Sequence, residues 1–313
     1  MNVPSLLIAA VAFSLNLQAR QESSLVRIRS SVLVDTKGFA QGAVFSPDGA
    51  LLAFSKENYR GAYLLRLADG EVFEASASDA AGWGMTWLDD QRLVTRPVVP
   101  RPGKARKLKG LEVFDAATLG AKMVIPLNQT NSIAIPQRLG NGRLFIMNGR
   151  KKHILESVSK NTQLRTTITR QDGWYAEGMS VTDGAVRINS PGRREILSAV
   201  WSQDGTQALV EVLGRPSLYL FKKQSRTFSV VSEAGERPCW SFTDYFVFME
   251  TMDDGHEITT GKIFVSRAGR IEKQELSLGL NVVALNPTAS RDGKIAFNTI
   301  EGKVYILEVE PVQ

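Results

Sequence analysis

Apolar residues along this chain gather in short runs of strand length, each introduced by a polar turn, and the turns share one phrase. An aromatic or small residue is followed by Ser, then Asp-Gly, then an apolar run. Phe45-Ser46-Pro47-Asp48-Gly49 precedes 51–54, Trp201-Ser202-Gln203-Asp204-Gly205 precedes 208–212, and Ala289-Ser290-Arg291-Asp292-Gly293 precedes 295–297. Weaker copies are Trp87-Leu88-Asp89-Asp90, Arg138-Leu139-Gly140-Asn141-Gly142 and Trp240-Ser241-Phe242-Thr243-Asp244. Asp or Asn bonds the backbone two residues on, and Gly supplies the positive φ that closes a tight hairpin.

The copies begin at 45, 87, 138, 201, 240 and 289, so their spacings are 42, 51, 63, 39 and 49. A propeller blade takes about 40–50 residues, so only the longest spacing demands an insertion. Third runs follow at 62–67, 111–114, 154–158, 218–221, 263–265 and 304–309, and fourth runs at 71–75, 122–127, 164–169 and 228–231. Four short antiparallel strands make one blade. The last unit lacks its fourth strand, and an unmatched run at 25–34 is free to supply it, closing the ring and hiding two sheet edges. The expectation is therefore all-β: a six-bladed propeller of four-stranded antiparallel blades, closed by an N-terminal strand. A seventh blade could be drawn from 174–189, around the turn Asp183-Gly184. That stretch shows only one hairpin, so it is taken as the insertion.

Residues 43–54 and 287–297 resemble the repeat of TolB-like propellers, in which a Pro or small residue leads into Ser-x-Asp-Gly and then an apolar strand. The turn Leu67-Ala68-Asp69-Gly70 matches the short turn that ends the third strand of that repeat. The resemblance implies a β-propeller over roughly 25–313.

Composition changes the picture in three places. The first 19 residues carry no charged side chain and centre on the apolar run 6–17 before Arg20. That pattern reads as a cleaved secretory signal over 1–19, leaving 20–313 as a single propeller domain, periplasmic or secreted. The apolar run is too short to span a bilayer comfortably. Cys239 is the only cysteine, so no intramolecular disulfide forms; its place beside Trp240 suits a small buried hydrophobe.

The net charge of +6 is unevenly placed. Loops between second and third strands share a face with the inter-blade loops, opposite the Asp-Gly turns. That face receives Arg101, Lys104, Arg106, Lys107 and Lys109, then Arg150, Lys151, Lys152 and His153, then Arg193 and Arg194 with Trp174 and Tyr175. Such a basic sector with an aromatic tip suits an acidic protein, or an anionic polymer or lipid headgroup. Asp172, Glu177 and Glu195 dilute its charge. Nucleic acid is disfavoured, because no strand interleaves stacking aromatics with basic residues. Trp87, Trp201 and Trp240, with Phe45, recur in one frame and read as inter-blade core, whereas Trp83 and Trp174 fall outside it and are the better partner anchors.

Catalytic patterns are nearly empty. There is no Gly-x-Ser-x-Gly elbow, no His-Glu-x-x-His and no phosphate-cradling loop. Asp253-Asp254-Gly255-His256-Glu257 could offer metal ligands, but a hairpin loop explains it as well. Asn131, Asn281 and Asn286 lie near inner-strand starts, where loop capping is the simpler role. The expected function is an exported, non-enzymatic protein-interaction scaffold without a cofactor. The alternative is a channel-centred, metal-dependent hydrolase of the lactonase kind.

Overall fold

The computed structural model describes residues 24–140, 142–158, 161–242 and 244–312; the leader assigned to 1–19 lies outside them. The Ser-Asp-Gly turns build the hairpins as their chemistry dictates. Ser46 Oγ accepts from the Leu51 amide at 2.9 Å and donates to Asp48 Oδ1, which accepts from the Ala50 amide at 3.1 Å. Ser202 repeats this with Gln207 and Asp204, and Ser290 with Lys294 and Asp292. Each serine thus ties the two ends of a turn that glycine lets close; Gly49 sits at φ +72°.

The strands that follow are the most apolar and the most deeply placed. Leu51–Ser55 is buried at every position, whereas the outer strand Thr227–Ser232 exposes most of its residues. The described residues form seven sheets. Blade one runs from Gln41–Phe45 to Val72–Ser76, blade two from Thr86–Trp87 to Gly120–Asn128, and blade three from Gln137–Arg138 to Asn161–Arg165. Blade five runs from Ile196–Trp201 to Thr227–Ser232 and blade six from Gly235–Trp240 to Lys273–Glu275. Blade seven joins Ala284–Ala289, Lys294–Thr299 and Val304–Pro311 to the N-terminal strand Val26–Val34. That strand pairs antiparallel from Val26 opposite Pro311 to Val34 opposite Val304, so the chain's two ends do close the ring. Gln274 of blade six clasps the closing strand, accepting from the Val26 amide and donating to its carbonyl at 2.9 and 3.0 Å.

The count of six is overturned by blade four. Tyr175–Glu177, Ser180–Thr182 and Arg187–Asn189 form a three-stranded sheet where an insertion was expected. The chain leaves blade three early, at Arg165, and a short 3-10 turn at Arg170–Asp172 folds it back. Asp172 anchors that turn, fully buried and gripped by Arg143 and Arg165, both of which also hold Glu156. The chain therefore starts blade four on the turn face, beside Arg143, instead of the loop face. Its inner strand runs against the direction of the others and ends at Glu177, which Lys152 meets on the loop face at 2.8 Å. Three strands carry the chain across the ring an odd number of times. The inverted start is what lets blade five begin on its usual side.

Blade four is short, and the turns of blades three and five close on each other beneath it. A Cβ on Gly140 would lie 2.3 Å from Gly205 Cα. Trp174 and Tyr175 belong to the core that fills this seam: Tyr175 stacks on Phe145 at 4.1 Å, and Trp174 leans on Phe221 at 5.5 Å. The framed tryptophans are core as expected. Trp87 donates its indole N–H to Val44 O at 3.0 Å and Trp240 to Val200 O at 2.8 Å, each to the preceding blade. Trp201 faces the reduced blade, and its buried indole nitrogen has no partner.

Candidate functional site

Two features of the ring carry chemistry: the loop face and the central channel. On the loop face, the segment between Val98–Val99 and Leu108–Asp115 presents Lys104, Arg106 and Lys107 to solvent, and Lys109 stands exposed at the start of the second of these strands. Arg101 is half-buried at its root and donates to Gln129 Oε1 at 2.9 Å. Arg150 and Lys151 stand exposed on the corresponding loop of blade three. Asn131 ties the two loops together. Its Nδ2 donates to Lys109 O at 2.8 Å, and its Oδ1 accepts from Asn148 Nδ2 at 3.0 Å, one residue before the Gly149-Arg150 turn. The capping role expected for Asn131 thus also fixes the spacing of the two basic loops.

The rest of the expected sector is built differently. Trp174 and Tyr175 are 6% and 2% exposed, so neither forms an aromatic tip. Tyr175 opens the inverted strand and Trp174 precedes it, and both pack into the core of the seam. Lys152 is spent on Glu177 and on the Tyr175 ring face. Arg194 donates to Tyr219 Oη at 2.6 Å and lies over its ring, while Arg193 is exposed on a separate turn. His153 is buried with neither nitrogen partnered, and burial, then the Lys151 charge, pushes its pKa down. What remains is a block of six solvent-facing cations: Lys104, Arg106, Lys107, Lys109, Arg150 and Lys151. None of them is ion-paired among the described residues.

The Asp253–Glu257 segment is a hairpin loop capped by its own carboxylates. Asp254 Oδ1 accepts from the amides of His256 and Glu257 at 2.9 Å each. No group of three His, Cys, Asp or Glu side chains gathers at metal-binding spacing among the described residues. Asn286 donates to Asn298 at 3.1 Å.

The channel, the site of the alternative reading, is lined by residues that the sequence did not single out for it. It has a volume of about 1290 Å³ and is walled by the inner strands of all seven blades. Its charges sort by end. Toward the loop face it is lined by Glu177, Glu211 and Glu236 with Arg215 and Arg237. Glu211 Oε2 accepts from Ser198 Oγ at 3.0 Å and from the Arg237 amide at 3.2 Å. Burial, and then the charge of Glu211, raises the pKa of neighbouring Glu236. Arg237 of blade six reaches over the mouth to Trp83, its guanidinium 5.5 Å from the ring centre. Trp83 precedes blade two on the far side and meets Tyr59 edge-on at 4.6 Å. Trp83 is 38% exposed and Ile135, beside it, 39%, so an apolar rim adjoins the basic loops. Arg96 fixes that rim through Trp83 O and Ile133 O at 2.9 and 2.8 Å, and burial pushes its pKa down to about 10.

Toward the turn face, the only charged lining residues among those described are Arg138 and Arg291. Arg138 occupies the slot that blades two, five and six give to tryptophan. It uses a guanidinium N–H as Trp87 and Trp240 use the indole, donating to Trp87 O of the preceding blade. Arg291 is the second residue of the Ser290-Arg291-Asp292-Gly293 turn, a position from which Pro47 and Gln203 also line the channel.

No protein-family model and no curated protein sequence matches the chain. Solved structures do match. A chain of a mitotic checkpoint complex superposes with a TM-score of 0.56 at 11% identity, covering 98% of this chain and 99% of that one. Virginiamycin B lyase from Staphylococcus aureus gives 0.57 at 10% identity, covering 90% and 99%. TolB from Acinetobacter baumannii is similar at the lower score of 0.44 and 11% identity, over 88% of this chain and 56% of that one. The fold is that of a β-propeller. At such identities the likeness shows the fold alone, and no family within the propellers follows, TolB-like or other. No helix among the described residues is long and apolar enough to cross a membrane.

Proposed function

We propose that this propeller is a non-enzymatic scaffold that holds an acidic protein surface on its loop face. The fold does not choose between tasks, because its structural neighbours include both a member of a protein complex and a lyase. The surface does. Six solvent-facing cations, none ion-paired among the described residues, on two neighbouring loops and the strand starts beside them, tied together by Asn131, form the observation that carries the reading. Beside them Trp83 and Ile135 offer an apolar anchor point, the arrangement of a charged rim around a desolvated contact. The leader pattern at 1–19 supports a scaffold that works outside the cytoplasm.

Charge complementarity acts mainly through association rate and salt dependence. The test is a variant carrying Arg106→Glu, Lys107→Glu, Arg150→Glu and Lys151→Glu. These are exposed positions, so the fold should persist. Purified wild type should bind immobilised polyglutamate and an acidic partner recovered from an envelope extract, more weakly as salt rises. The variant should lose about tenfold or more in affinity and most of the salt dependence. Equal affinity and an equal salt slope would refute the reading.

A further inference from the structure

The turn end of the channel is a separate matter from the loop face. Blades three and seven stand three places apart in a ring of seven, the widest separation such a ring allows. They nevertheless both line the channel, Arg138 half-buried and Arg291 exposed. Burial, and then the positive charge of Arg291, depresses the pKa of Arg138. Neither arginine forms an ion pair among the described residues. A guanidinium has five N–H donors, and Arg138 places one on Trp87 O. Asp89 and Asp90 lie close enough to offset part of the charge, but Asp89 is already held by Arg92. Arginine cannot shed its proton at working pH, so the repulsion is not relieved by titration. Serine, glutamine, indole and apolar groups make up the remaining wall at this end, with no carboxylate among the described lining residues.

Two guanidinium groups that line one channel from opposite sides, neither ion-paired among the described residues, form an incomplete site. Planar N–H forks match the oxygen spacing of phosphate and carboxylate groups. A cavity of about 1290 Å³ leaves room for the body of a small organic molecule behind that group. We propose that the turn end of the channel binds a small oxyanion, a phosphate or carboxylate group gripped between Arg138 and Arg291. The charge sorting gives the ligand a direction: its anionic end seats at the turn face and any cationic or hydroxylated end lies toward Glu211 and Glu236.

Inorganic phosphate and succinate distinguish the two chemistries, with chloride at matched ionic strength as the control. Titration calorimetry and thermal melts should show wild type binding at least one of the two oxyanions and melting higher in it than in chloride. Arg291→Gln, on an exposed turn, should weaken that binding at least tenfold, and Arg138→Lys should weaken it while preserving the channel's charge. The loop-face quadruple variant should bind as wild type does. Equal affinity of Arg291→Gln and wild type, or stabilisation no greater in either oxyanion than in chloride, would overturn the proposal. Loss of binding in the loop-face variant would do so too, by moving the site to the other face.

Discussion

Replacing Gly140 by Ala tests the seam that the inverted blade leaves behind. A methyl group there would sit 2.3 Å from Gly205 Cα, 2.6 Å from its amide nitrogen and 3.1 Å from Ser202 O. Carbon atoms rest at about 3.5–4.0 Å, so blades three and five would have to part by about 1 Å or more. All three obstacles are backbone atoms, and none can rotate away. Overpacking of a filled interior costs about 1–3 kcal/mol, and a contact with no flexible partner belongs at the upper end. At about 2–4 °C per kcal/mol for a large domain, the melting point should fall by about 6–12 °C. Far-UV circular dichroism melts would read this, with Gly120→Ala as control. Gly120 lies in a hairpin where only Thr118 Oγ1, at 3.3 Å, comes close. Melting of Gly140→Ala within about 2 °C of that control would mean that the two turns are not packed backbone to backbone.

Two further outcomes are expected. The raised pKa of Glu236 means that the folded protein holds this proton more tightly than the unfolded chain does. Its stabilising effect is therefore complete below the ordinary carboxylate range and is lost as pH rises through the folded-state value. Glu236→Gln should match wild type in acid and melt above it at neutral pH; a constant difference across that range would refute the assignment. Gln274→Ala removes both bonds to Val26, a loss of about 1–2 kcal/mol. Hydrogen exchange of the Val26 amide should then accelerate, and unchanged protection would show that the clasp contributes nothing to closure.

The parts of the ring legible in the sequence are those where one residue type performs one local task. Ser46, Ser202 and Ser290 tie their turns through their own side chains, so blades one, five and seven can be read directly. Blade four cannot. Its Asp183-Gly184 turn joins the second strand to the third, so the turn phrase does not mark its inner strand as it does in the other blades. What makes it a blade is Asp172, whose partners Arg143 and Arg165 lie in the preceding unit. The aromatic tip expected of Trp174 and Tyr175 is missing for the same reason: blade four starts on the turn face, so both lie in the core of the seam instead of on the loop face. The basic loops were legible because exposed charge needs no tertiary partner, while Lys152 and Arg194 were over-read because their partners are distant. Arg138 and Arg291 were hidden differently. One fills a slot that the repeat gives to aromatics, the other stands at a turn position where any residue fits, and only ring closure brings them to one space.

The ring's closure also decides how it answers to force. Val26 lies opposite Pro311, so the described chain leaves the closing sheet at two neighbouring points on one side. A load drawn through both ends would open that sheet as a zipper opens, one antiparallel pair after another from Val26 to Val34, with the Gln274 clasp the first to yield. Tension on one end alone, as when a protein is tethered to a surface, leaves the opposing strand slack and the zipper shut. The ring's resistance to heat therefore says little about its resistance to being pulled from both sides of that sheet.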